Sequence, residues 1–158
     1  MTKPSFVHVT YIRTNPEKLW QALTDGAWTR QYWAGRRVES DWTVGAPVTF
    51  WFDGKVSDSG KVLECDPPRR LSYSFRVELV EALRGEPPSR VAFEIEKLDA
   101  QVKLTVTHDG FEPGSKVFTA ISGGWPAILS SLKSLLETGH AIELPAKSGA
   151  ASCARVEA

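Results

Sequence analysis

The sequence predicts an α+β protein in which a curved antiparallel sheet of about six to seven strands wraps around one long C-terminal helix. Two patterns and one interruption predict it. Several runs between residues 6 and 107 alternate apolar with polar side chains, the period of a half-buried strand. From 115 to 136 the apolar residues recur at spacings of three and four, the period of a helix with one apolar stripe. Two short helical segments separate the first strand from the others. A one-faced sheet and a one-faced helix bury each other most simply.

Phe6-Val7-His8-Val9-Thr10-Tyr11-Ile12-Arg13 is rich in β-branched and aromatic residues and predicts the first strand. Asn15-Pro16 follows, a good N-cap and a residue favoured at the first helical position. Leu19, Trp20 and Leu23 give that helix an apolar side, and Asp25-Gly26 stops it. A second short helix fits 27–34, with Trp28 and Tyr32 one turn apart and Gly35 closing it. A weak strand over 37–42 ends at Trp42. In the next, Val48, Phe50 and Phe52 alternate with Thr49, Trp51 and Asp53. Asp53-Gly54 is a two-residue hairpin signal, so 56–65 returns antiparallel to Asp66-Pro67-Pro68. Its facing stays open, since Val62 with Glu64 and Leu63 with Cys65 are both reasonable inward pairs.

Leu71, Tyr73, Phe75 and Val77 form the clearest half-buried strand. After a polar connection with Gly85, Pro87 and Pro88, two more strands place Val91, Phe93 and Ile95, then Val102, Leu104 and Val106, on one face. His108 shares that apolar parity. Ser115 is a plausible N-cap for the long helix, whose stripe is Phe118, Ile121, Trp125, Ile128, Leu132 and Leu135. Gly123-Gly124-Trp125-Pro126 interrupts it. Proline removes the hydrogen bond to the Ser122 carbonyl, so a kink or a break is expected at 122–126. Residues 1–144 read as one domain, and 145–158, without apolar periodicity, as a flexible tail.

The chain has 158 residues, 42% hydrophobic, with 19 Lys plus Arg against 19 Asp plus Glu. That is too apolar for disorder. The zero net charge argues against a nucleic-acid partner. Two cysteines, Cys65 and Cys153, imply neither a disulfide framework nor a zinc site, and three dispersed histidines make no metal site. No basic segment leads into an apolar run at the start, and no stretch reaches a membrane span's length. A cytoplasmic protein is therefore expected. There is no P-loop, Rossmann glycine pattern, nucleophile elbow or HExxH, so no catalytic residue, cofactor or metal is assigned. Six tryptophans remain as the pointed feature.

Three stretches carry a family resemblance. They are Asn15-Pro16-Glu17-Lys18-Leu19-Trp20-Gln21-Ala22-Leu23-Thr24, then Gly60 through Leu71 with its Pro67-Pro68 turn, then Gly124-Trp125-Pro126-Ala127-Ile128-Leu129 on to Gly139. With them the chain resembles the family named for the activator of the ninety-kilodalton heat-shock chaperone's ATPase. That family belongs to the helix-grip superfamily, with START lipid-transfer domains, aromatase/cyclases and birch-pollen-type allergens. The resemblance spans about residues 6–144. It implies the helix-grip fold and a pocket between sheet and helix, and no shared catalytic residue.

The pattern then names the candidate lining. From the strands come Phe50, Phe52, Tyr73, Phe75, Phe93, Ile95, Leu104, Val106 and His108. From the helix come Phe118, Ile121, Ser122, Trp125 and Leu129, with Tyr32 and Trp33 as a lid. Mostly apolar and aromatic walls with a few polar groups suit a small hydrophobic or aromatic ligand. At any single position plain core is the commoner role for an aromatic. A hydrogen-bonded structural role is likewise the commoner one for His108. Arg36-Arg37 and Arg69-Arg70 read as solvated surface, and Trp51 is left unplaced. The leading expectation is a START-like, non-catalytic binder. The alternatives are a cyclase- or hydrolase-type enzyme using His108, Tyr73 or Tyr32, and, ranked lowest, a cochaperone that activates the chaperone ATPase. A homodimer is left open.

Overall fold

A computed structural model describes residues 2–144, so the expected tail lies outside the described residues. The element order is β1 (Phe6–Ile12), α1 (Pro16–Thr24), α2 (Gly26–Tyr32), β2 (Arg37–Ser40), β3 (Pro47–Phe52), β4 (Lys55–Asp66), β5 (Arg70–Val77), α3 (Glu81–Arg84), β6 (Ser89–Leu98), β7 (Gln101–Asp109) and α4 (Lys116–Thr138). All strands pair antiparallel in one sheet, ordered β1-β7-β6-β5-β4-β3-β2. This is the expected α+β helix-grip architecture. The one-turn α3 within the 78–88 connection was not expected.

Local chemistry explains the boundaries. The Asn15 side chain accepts from the Lys18 N–H, the Asp25 side chain from Ala27 N–H, and Ser115 Oγ from Phe118 N–H. Each satisfies a donor that the first helical turn leaves open. Asp53 and Gly54 both take positive φ, 52° and 77°, as the tight hairpin between β3 and β4 requires.

Val62 is buried and Leu63 exposed, while a bulge between Val62 and Glu64 shifts the register and leaves Cys65 half-buried. Neither expected inward pair is therefore intact on β4, because a bulge breaks the period of two. Gly60 explains why this strand carries a glycine. A Cβ there would lie 1.7 Å from the Ser74 carbonyl oxygen of β5.

The sequence leads one to expect a kink or a break at 122–126, and no break occurs. α4 runs from Lys116 to Thr138 with Pro126 inside it. Pro126 and Gly123 lie on its exposed side, while Ile121, Trp125, Ile128, Leu129 and Leu132 are buried against the sheet.

Candidate ligand-binding site

The antiparallel order brings one set of connections to the same end of the sheet. The 33–36 turn, the 53–54 hairpin, the 78–88 strap and the 110–115 loop all leave the strands there, and α4 begins beside them. Registers fix this: Asp58 faces Val77, Phe75 faces Ser89, and Arg90 faces Asp109. That end is the mouth of the grip. Glu86 fastens the strap to α4, accepting from Ser115 Oγ at 2.6 Å and from Lys116 N at 2.8 Å.

Inside, the expected lining residues meet ring to ring. Trp33 packs on Phe50 at 4.9 Å between centroids and on Trp125 at 5.2 Å. Phe93 meets Trp125 edge-on, Tyr73 spans Phe50 and Phe93, and Phe75 lies between Phe50 and His108. Tyr32, Ile95, Leu104, Val106, Ile121 and Leu129 are buried around them. Phe52, Phe118 and Ser122 sit at the half-buried margin. Ser122 donates its hydroxyl to the Phe118 carbonyl. Phe111, which the sequence pattern missed because it lies in a loop, stacks between His108 at 4.8 Å and Phe118 at 5.4 Å.

The array thus runs from the mouth at Phe118 and Phe111 inward to Trp125, Trp33 and Phe50. Open space lies at its outer end. A groove of about 350 Å³ between α3 and the first turns of α4 is lined by Val80, Leu83, Lys116 and Thr119. A second, of about 230 Å³, is lined by Glu86, Phe111 and Ser115. In the structure the rings themselves occupy the interior.

Two polar nodes interrupt the apolar interior. In the first, the Trp125 indole donates to His108 Nδ1 at 3.0 Å. An indole N–H only donates, so Nδ1 accepts and the proton sits on Nε2. Nε2 then donates to Ser89 Oγ at 2.7 Å, and Ser89 donates to the Phe75 carbonyl. Both ring nitrogens are engaged. Burial pushes the His108 pKa down to about 3, only partly opposed by the Asp109 charge, so the imidazole is neutral. Tyr32, another candidate for proton transfer, donates to the Ala22 carbonyl at 2.8 Å, and burial pushes its pKa up. Both spend their polar atoms on structure. Tyr73, the third, is buried in the ring array.

The second node corrects the reading of Arg36 as solvated surface. Its side chain is 2% exposed and pairs with Asp58, 4% exposed, through Nε at 3.3 Å. Ser57 Oγ donates to the same Asp58 oxygen at 2.8 Å, and the guanidinium lies 5.2 Å from the Phe52 ring centre. Burial pushes the Asp58 carboxyl up, while Arg36 and the Ser57 hydroxyl pull it down. Charge adjacency in Arg36-Arg37 hid the difference, because the turn after α2 points the first inward and β2 points the second outward. Trp51 finds its place on the outer face, donating to Glu39 at 2.9 Å beneath Arg37. Arg69 is exposed, and Arg70 bridges Glu64 and Glu94 at the surface. No helix among the described residues is long and apolar enough to cross a membrane.

Residues 13–137 match the family model described as Activator of Hsp90 ATPase homolog 1-like protein. A search of curated proteins returns no match. Among solved structures, protein MLL2253 from Mesorhizobium loti is 26% identical, with a TM-score of 0.72 over 84% of this chain and 96% of that one. The Aha1 dimer from Colwellia psychrerythraea is 24% identical, with a TM-score of 0.70 over 86% and 98%. PFC0360w, an HSP90 activator from Plasmodium falciparum, is 22% identical, with a TM-score of 0.69 over 84% and 95%. The latter two likenesses are of fold.

Proposed function

The chain belongs to the Activator of Hsp90 ATPase homolog 1-like family, and from that premise we propose that it is a binding protein for a small hydrophobic or aromatic molecule. The ligand lies between the sheet and α4, against Trp33, Phe50, Tyr73, Phe93, Trp125 and their neighbours, and enters at the mouth beside α3. One observation carries this reading. An unbroken aromatic array leads from the open grooves at Phe111 and Phe118 to the centre of the fold. Rings favour offset and edge contacts, and an aromatic guest offers the same contacts to the rings it displaces. The test is a titration with the neutral fluorophore N-phenyl-1-naphthylamine. Saturable binding at one equivalent, with quenched tryptophan emission, is expected. No saturable binding up to the probe's solubility overturns the reading.

A second reading, of assembly, has its own observation. β1 is an edge strand, and one of its faces exposes Val7, Val9 and Tyr11 at 59%, 45% and 47%. Three apolar side chains in a row on a sheet edge suit pairing with a second copy. The Colwellia relative is described as a dimer. Light scattering should give twice the chain mass, and Val9→Lys should return one. A single chain mass for the unaltered protein at high concentration overturns it.

A further inference from the structure

At the end of the sheet opposite the mouth, we infer that a hollow beside the start of α1 is a binding site for a compact phosphate group, carried by a small phosphomonoester or present as the free ion. The turn between β1 and α1, the 99–100 hairpin between β6 and β7 and the last turns of α4 meet there. Arg13, Thr14, Asn15, Lys18, Lys97 and Asp99 border a hollow of about 370 Å³, with Leu136 of α4 beside them. None of these residues belongs to the interior ring array, so this site stands or falls apart from it.

Local structure brings the cations together. Arg13 follows β1, and its backbone N–H donates to the Glu137 carboxylate of α4 at 2.8 Å. Lys18 sits in the first turn of α1, where its backbone N–H donates to Asn15 Oδ1 at 2.8 Å. Lys97 pairs with Val102 at the β6–β7 hairpin. Among the described residues these three side chains make no ion pair, whereas six arginines and two lysines elsewhere do. Glu137, which feels the Arg13 charge, is already held by Lys133 Nζ at 2.7 Å. The lining therefore carries three positive charges against one negative, at Asp99, in a chain whose net charge is zero. Like charges gathered at one place repel, so folding alone gives no reason for the excess.

Two neutral groups add donors. Asn15 spends Oδ1 on its cap, which leaves the amide N–H groups of the same side chain to donate. The Thr14 hydroxyl stands in the same lining. The set matches phosphate in charge and in number. A phosphomonoester carries about −1.5 to −2 charge near neutral pH and three strong acceptor oxygens. Arginine's planar fork suits such oxygens, and lysine supplies point charges beside it. A carboxylate, with one charge and two oxygens, leaves donors unused.

The test is a nitrogen–proton correlation spectrum of the full chain, titrated at low salt with inorganic phosphate and, separately, with phenyl phosphate. Saturable shifts centred on the amides of Thr14, Lys18 and Ala100 are expected. Tighter binding of phenyl phosphate marks an ester as the ligand, and tighter binding of inorganic phosphate marks the free ion. Arg13→Gln and Lys97→Gln change exposed side chains and should each weaken binding about two- to fivefold. Lys55→Gln, the same loss of charge at the mouth hairpin, should leave it unchanged. Asp99→Asn should tighten it. No saturable shift with either probe at millimolar concentration overturns the site. So does equal weakening by Lys55→Gln, the mark of diffuse attraction to the whole surface. A hexaglutamate peptide that saturates the same amides more tightly than either probe overturns the phosphate assignment in favour of an acidic protein segment.

Discussion

At the scale of single residues, His108 shows how burial decides chemistry. Its folded pKa near 3 lies below the ordinary 6.5, so only the unfolded chain takes up this proton as pH falls through that window. The contribution of a neutral His108 is complete above pH 6.5 and is lost downward, at up to about 1.4 kcal/mol per pH unit. Urea unfolding should therefore show the native protein losing about 2 kcal/mol more than His108→Gln between pH 7 and pH 5. Equal losses would mean the imidazole already carries a proton when folded. Trp125→Phe keeps an aromatic ring but removes the pyrrole half of the indole with its donor to Nδ1. It should cost at least about 1–3 kcal/mol by the same measurement, the penalty of stranding a buried acceptor, with the lost packing of the smaller ring added to it. The sequence placed His108 on the apolar face correctly, since period-two alternation reports facing. It did not reveal the hydrogen-bond partners. Ser89 comes from β6 and Trp125 from α4; the register of β6 on β7 brings the first to the ring, and the packing of α4 on the sheet brings the second. Arg36 failed for a related reason, because no periodicity reads a turn.

At the scale of elements, α4 carries an internal proline that packing does not require. Pro126 is exposed, so replacing it with alanine removes no buried contact and restores the N–H that the Ser122 carbonyl lacks. Pro126→Ala should raise stability by about 1–3 kcal/mol in a denaturant titration. A loss would show that the proline shapes the helix's fit on the sheet. β4 makes the opposite case. Gly60→Ala drives a methyl into the Ser74 carbonyl, and the backbone must move. A loss of about 1–3 kcal/mol or more is expected, seen as a lowered melting temperature. Strands β5, β6 and β7 were legible because they alternate cleanly. The bulge in β4 was not, since it inserts one residue without changing composition. The caps at Asn15 and Ser115 were legible, whereas Asp25, read only as the stop of the first helix, also caps the second.

At the scale of the whole molecule, the order of strand, two helices, strands and long helix was enough to place sheet and α4 face to face. It also placed most of the aromatic set in one interior. The sequence could not show that every mouth connection lies at one end, nor that a charged pair stands there, because both follow from strand register. The six tryptophans with which the composition stood out now divide by location. Trp33 and Trp125 pack together in the interior, Trp42 reaches Tyr73 from its flank, Trp20 and Trp28 are partly buried against the core, and Trp51 lies on the outer face. Their indole N–H resonances make separate reporters. The most direct measurement is a two-dimensional nitrogen–proton correlation spectrum of the indoles during titration with N-phenyl-1-naphthylamine. An interior site moves the Trp33 and Trp125 signals in step with binding and leaves Trp51 in place. Shifts confined to Trp51 and Trp28, with Trp33 and Trp125 unmoved at saturation, would contradict it.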